Sequence, residues 1–291
     1  MSTVYRGMDR VELDAAYNNR DAVRNSTEVS EWYITQSEIT YRTLACTRDL
    51  RYGVRPAQRY DLFPVENSEK PYVIFIHGGY WQTRAKEHYA CVAEGLVKNG
   101  FPVVLAEYTL APEVTMSEIV GEIGGLINHL GLALADANGK PPEFILSGHS
   151  AGGHLSACFR GHPLVRGVLG ISGVYELEPM RLSYLNESLQ LSELDVQFWS
   201  PQRRISDGVL TMLAVGGSEL PQFLVQSREY ADALAAGQQP VHFVVVPSAN
   251  HFTILDELVS QEGILTRLVE MLTRLTEVTV GRCQIGGSGE I

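Results

Sequence analysis

Cysteine is scarce in this chain, which has only Cys46, Cys91, Cys158 and Cys283 in 291 residues, and none of them forms a C-x-x-C pair. That excludes a disulfide framework and a thiolate zinc site, and points to reduced, mostly buried thiols. Basic charge is also short: 23 Lys and Arg against 34 Asp and Glu leave a net charge of −11. Such a balance argues against nucleic acid or an anionic membrane surface as partner. No apolar run reaches the roughly 18 residues a membrane span needs, and Met1 to Arg10 carries no apolar core of a leader, so a cytoplasmic location is expected. No internal repeat is visible. What is present, 45% hydrophobic and 20% charged residues over 291 positions, suits one large α/β domain acting on a small molecule.

Short apolar runs alternate with amphipathic stretches, as in βαβ units, and predict a mainly parallel sheet covered by helices on both faces. Strands are expected at Tyr72–Ile76, Pro102–Ala106, Glu143–Ser147, Val168–Ile171, Leu210–Val215 and Val241–Val246, with an antiparallel edge from Tyr41–Leu50 and Gln58–Val65. Helices are expected at Lys86–Asn99, Ser117–Leu134, Ala151–Phe159, Pro221–Ala236 and Phe252–Glu277. Residues 1–40 read as an arm of short helices over a 41–280 domain, and the Gly-rich 281–291 as a flexible tail. An insertion at about 174–207, rich in Leu, Tyr184, Phe198 and Trp199, is expected to cap a water-poor pocket.

The chemistry is concentrated in three places. Phe144-Ile145-Leu146-Ser147-Gly148-His149-Ser150-Ala151-Gly152 drives an apolar strand into G-x-S-x-G, the pattern of a nucleophile elbow. A serine attacks only when its Oγ stands clear of the backbone beside a base, and the sharp turn supplies that exposure. Ile76-His77-Gly78-Gly79-Tyr80-Trp81 ends another strand, where a glycine pair lets backbone N–H groups turn toward a developing oxyanion. Gly79 and Tyr80, with Ala151, are the candidate donors, and His77 is read as a brace for the loop. His251, between the last strand and the last helix, is the candidate base; Glu219, the acid of the segment Val215-Gly216-Gly217-Ser218-Glu219, is the candidate third member, with Asp207 the runner-up. Tyr80, Trp81, His149, Tyr184, Phe198 and Trp199 are candidates for the substrate wall. No metal and no organic cofactor is called for.

These residues resemble the kynurenine formamidases, or arylformamidases, of the α/β-hydrolase superfamily, in the branch similar to hormone-sensitive lipase. The resemblance rests on His77-Gly78-Gly79-Tyr80-Trp81, on Gly148-His149-Ser150-Ala151-Gly152-Gly153-His154-Leu155, on Ser172-Gly173-Val174-Tyr175-Glu176-Leu177-Glu178-Pro179 and on Asn250-His251-Phe252, and spans roughly residues 60 to 275. It implies an α/β-hydrolase fold and hydrolysis of the formamide of N-formyl-kynurenine by Ser150, Glu219 and His251. Glu219 stands where that family usually carries Asp. A carboxylesterase acting on short esters is the alternative reading, and a homodimer is left open.

Overall fold

The computed structural model describes residues 3–285, with side chains through Thr276. Eight strands form one sheet: β1 (Thr47–Arg51), β2 (Arg59–Phe63), β3 (Tyr72–Ile76), β4 (Val103–Ala106), β5 (Phe144–His149), β6 (Val165–Ile171), β7 (Thr211–Gly216) and β8 (Val241–Val246). Their spatial order is β1-β2-β4-β3-β5-β6-β7-β8, antiparallel through β1, β2 and β4 and parallel from there on. Parallel strands are buried on both faces and so read as continuous apolar runs. Alternate residues feed two cores: Ile74, Ile76, Val104 and Leu146 enter one layer, while Val73, Phe75, Val103 and Ile145 enter the other.

The helices are α1 (Arg10–Ala16), α2 (Asn19–Ala22), α3 (Ser26–Thr43), α4 (Ala93–Lys98), α5 (Met116–Ala133), α6 (Ala151–Cys158), α7 (Glu178–Leu182), α8 (Asn186–Leu189), α9 (Glu193–Trp199), α10 (Pro221–Ala236), α11 (Asp256–Val259) and α12 (Ile264–Ile285). The α/β-hydrolase fold is as expected, with three departures in its elements. The expected first edge strand from Tyr41 starts only at Thr47, because α3 continues through Thr43. Its last turns are tied down by Thr40 Oγ1 donating to Glu94 at 2.6 Å and by Tyr41 hydroxyl donating to Asp61 at 2.6 Å. The expected helix from Lys86 begins as a 3-10 turn over Lys86–Val92, and Tyr89 leaves helical geometry at φ −128° before α4 starts. The expected single helix Phe252–Glu277 is broken into a 3-10 turn, α11 and α12 around Gly263, where a Cβ would stand 2.1 Å from the carbonyl oxygen of Glu257.

Residues 174–207, the expected cap, carry α7, α8, α9 and a 3-10 turn at Pro201–Arg203. Of the expected flexible tail, residues 281–285 continue α12 and 286–291 lie outside the described residues.

Candidate active site

β5 lies in the middle of the sheet, and Ser150 follows it in a conformation that ordinary residues avoid, φ 55° and ψ −116°, before α6 begins at Ala151. The turn is possible only because its neighbours lack side chains. A Cβ on Gly152 would fall 1.9 Å from the carbonyl oxygen of Ile76, and one on Gly148 would fall 2.1 Å from that of Gly152. Ser150 is held by its own N–H, which donates to the Ile171 carbonyl of β6 at 2.8 Å. As the first helical residue, Ala151 has no carbonyl one turn back to receive its N–H.

The loop after β3 approaches the same point. Gly79, Tyr80 and Trp81 all adopt positive φ, at 111°, 51° and 58°. Gln82 and Thr83 donate their N–H groups to the Gly79 carbonyl at 3.0 and 3.1 Å, drawing that oxygen into the turn. His77 braces the loop, as expected: its Nε2 lies 2.9 Å from Glu107 Oε1, and its ring stacks on Tyr108 at 4.6 Å. Burial alone would raise the Glu107 carboxyl, but His77 and the N–H groups of Lys86 and Tyr108 outweigh it and hold that carboxyl below the usual range.

β7 and β8 end beside these loops. His251 Nδ1 meets Glu219 Oε2 at 2.7 Å, and the carboxylate has no exposed surface. The other carboxylate oxygen accepts the Gly216 N–H at 2.7 Å and the Ser172 hydroxyl at 2.5 Å. A carboxylate so fixed orients the imidazole with Nδ1 protonated and Nε2 free to accept a proton. The His251 ring packs between Phe223 at 4.4 Å and His149 at 4.7 Å. His149 donates Nε2–H to the His251 carbonyl at 2.7 Å. Burial first, and then the neighbouring His251, push the His149 imidazole well below its ordinary pKa, so this ring is neutral.

Ser150, His251, Gly79, Tyr80, His149 and Tyr184 line one cavity of about 760 Å³, room for a drug-sized molecule. Asp207 is exposed on the loop before β7 and takes a hydrogen bond from Gln239 at 3.1 Å, which leaves Glu219 as the acid beside His251. Three expected wall residues need correction. Trp81 is fully buried in the core, edge-on to His154 at 5.0 Å, because consecutive left-handed residues turn its side chain away from the cavity. Phe198 is 54% exposed on the outer side of α9, where it borders a surface cleft with Glu178 and Arg181. Trp199 lies against α5, its Nε1 donating to Ser117 Oγ at 2.8 Å.

Two contributions escaped the sequence reading. Ser172, in left-handed backbone at φ 49° after β6, stands in the sequence only as part of a motif, with no role legible there. The N-terminal arm supplies the polar side of the cavity through Asn19, Ser26 and Ser30, joined by His88 and Arg84 from the stretch after the Gly79 loop. Nothing in the spacing of an arm so far from Ser150 in sequence announces that contact.

A family model described as BD-FAE matches residues 61–162, which run from within β2 through α6 and include Ser150. The kynurenine formamidase of Danio rerio is 31% identical over 237 residues, covering 76% of this chain and 80% of that one. The chain belongs to the kynurenine formamidase family. An isoprenylcysteine alpha-carbonyl methylesterase of Arabidopsis thaliana is 25% identical over 238 residues, 70% of this chain and 56% of that protein. Among solved structures, a candidate thioesterase from Silicibacter sp. superimposes with a TM-score of 0.79 at 26% identity, covering 89% of this chain and 99% of its own. This member of the kynurenine formamidase family is therefore a hydrolase of formamide or ester bonds on an α/β-hydrolase fold. Among the described residues no helix is long and apolar enough to cross a membrane.

Proposed function

We propose that this enzyme hydrolyses an aryl formamide, with N-formyl-kynurenine as the type substrate, through a formyl-enzyme on Ser150. The observation that carries the reading is the 2.7 Å contact between His251 Nδ1 and Glu219, at the wall of the cavity that Ser150 lines. Ser150 Oγ attacks the formyl carbon while His251 Nε2 takes the hydroxyl proton and Glu219 holds the resulting imidazolium. The oxyanion is met by the N–H groups of Gly79, Tyr80 and Ala151, each such donor contributing about 10² to 10³ in rate. Collapse of the tetrahedral intermediate breaks the C–N bond, and the proton on His251 goes to the departing aryl amine. Water, deprotonated by His251, then attacks the ester carbon and releases formate with the serine restored.

Tyr80, His149 and Tyr184 form the wall against which an aryl group would lie. The partner in this reading is a small molecule, and a net charge of −11 argues against nucleic acid. A second reading, a carboxylesterase for short esters, draws on the plant methylesterase relative. One panel separates them: N-formyl anilines, aryl acetates and short aryl amides assayed on the wild type and on Ser150→Ala, with a sulfonyl fluoride adduct mapped by mass spectrometry. Faster turnover of formanilides than of aryl acetates, and a single adduct on Ser150, are expected. Full activity in Ser150→Ala, or labelling elsewhere, ends the proposal.

A further inference from the structure

The side of the cavity built by the N-terminal arm is polar, and its charges are unevenly matched. Arg20, Asp21 and Glu31 line it as exposed residues, whereas Arg84 lines it half-buried. Arg84 is held in left-handed backbone at φ 83° against the Gly79 loop; a Cβ on Gly79 would lie 2.9 Å from Arg84 Cγ. Its guanidinium donates one hydrogen bond to Ser30 Oγ of α3, at 3.1 Å, and forms no ion pair among the described residues. A guanidinium drawn part-way out of water ordinarily finds a carboxylate, and a chain with a net charge of −11 has many to offer. This one faces a cavity. Asn19, on α2, lines the same cavity with its side-chain Nδ2 buried and without a hydrogen-bond partner among the described residues. Both groups are donors, the chemistry that an anionic oxygen accepts.

We propose that Arg84, assisted by Asn19, binds a carboxylate carried on the leaving-group part of the substrate, so that the enzyme selects aryl amides or esters bearing an acidic head group. The inference rests on the reading of the Ser150 cavity as the site of amide or ester cleavage. Asp21 and Glu31 on the same side make a doubly charged phosphate a poor occupant, and offer partners to an ammonium beside the carboxylate. An α-amino acid head group has that pair of charges. Arg84 shares the cavity with Ser150 and His251, and after burial and His251 its charge is among the influences that keep His149 neutral.

The test compares two substrate pairs, N-formyl-kynurenine with N-formyl-kynuramine, which lacks only the carboxylate, and 4-acetoxyphenylpropanoate with phenyl acetate. Wild type, R84K, R84Q and Asn19→Ala are assayed on all four. Within a pair that is turned over, the wild type should favour the carboxylate member in kcat/KM by about tenfold to a hundredfold, chiefly through KM, as expected for hydrogen bonds to a charged group. R84Q should bring that ratio close to one, R84K should keep part of it, and Asn19→Ala should lower it less than R84Q does. A wild-type ratio near one overturns the proposal. So does an R84Q variant that slows both members equally, because that is the mark of a support for the Gly79 loop. If only the esters react, the formamidase reading falls and the ester pair still decides the role of Arg84; if neither pair reacts, both readings fall.

Discussion

Ser172 and His251 grip opposite oxygens of one carboxylate: the serine hydroxyl donates to Glu219 Oε1 at 2.5 Å and the imidazole meets Oε2 at 2.7 Å. With the Gly216 N–H also on Oε1, the carboxylate cannot rotate without breaking three bonds. An aspartate on the same loop is one methylene shorter and would leave the carboxylate short of partners fixed for glutamate. Glu219→Gln, which keeps the shape and spoils the tautomer of His251, should cost about 10³ to 10⁴ in kcat. Glu219→Asp should cost about 10², the effect of a misplacement near 1 Å. Ser172→Ala, leaving Gly216 in place, should cost kcat about tenfold, the equivalent of one hydrogen bond to a charged group. Steady-state kinetics on a formanilide decide the order. A Glu219→Gln variant milder than Ser172→Ala would mean that Glu219 does not orient the base.

The strained serine implies a second outcome. Gly152→Ala places a methyl group where the Ile76 carbonyl oxygen already lies, 1.9 Å from the Cβ position, and the obstacle is backbone of a central strand. The elbow must move as a unit. Stability should fall by about 3 kcal/mol, at the upper end for overpacking, and activity should fall further than urea denaturation alone explains. Gly125→Ala is the matching control, since its added Cβ meets nothing within 4 Å. Equal stability of the two variants would show that the β5–α6 turn relaxes freely.

How much of this was legible in sequence depended on whether the signal was local. Ser150, Gly148 and Gly152 announce the turn because strand, sharp bend and helix follow one another directly in the chain. Glu219 and His251 could be chosen because β7 and β8 each end in one loop with few polar candidates. Trp81 could not, since its direction depends on three successive left-handed residues, which break the alternation that predicts sides. Phe198 sits two residues after Val196 on a two-turn helix, and only packing decides that Val196 faces the core and Phe198 does not. Likewise the run from Tyr41 has the alternation of a strand, yet the bonds of Thr40 and Tyr41 to residues far along the chain extend α3 through it.

Buried histidines predict a pH dependence of stability. His154 has no exposed surface, donates Nε2–H to the Trp199 carbonyl at 2.6 Å, and is pushed by burial down to about 4. His149 is shifted in the same direction. The unfolded chain takes up protons on these rings near pH 6.5 while the folded one does not, so their contribution is complete above that pH and is lost as pH falls toward 4. Between pH 7.5 and pH 5, His154 alone should remove about 2 kcal/mol. Urea denaturation at the two pH values should show the loss, and it should shrink in His154→Gln, whatever that variant's stability at pH 7.5. An unchanged difference in the variant would place the acid sensitivity elsewhere.

Trp81 offers the sharpest separation between a wall residue and a core residue. Its indole is fully buried beside Tyr80 and against the His154 edge, in the layer that also holds Ile76, Ala151 and Leu155. Truncation to alanine therefore empties core volume, at about 3 to 5 kcal/mol, and leaves the pocket lining made by Tyr184 and His149 unchanged. If substrate selection by acyl length comes from the cavity, aryl esters from acetyl to hexanoyl should lose rate in the wild type, by about 10 to 200-fold for each methylene a closed pocket refuses. Trp81→Ala, measured well below its lowered melting temperature, should show the same relative profile at a uniformly reduced rate. Tyr184→Ala, which opens the lining itself, should flatten the profile with little loss of stability, because that ring is only partly buried. Should Trp81→Ala flatten the profile and Tyr184→Ala leave it intact, the indole would have to reach the substrate after all.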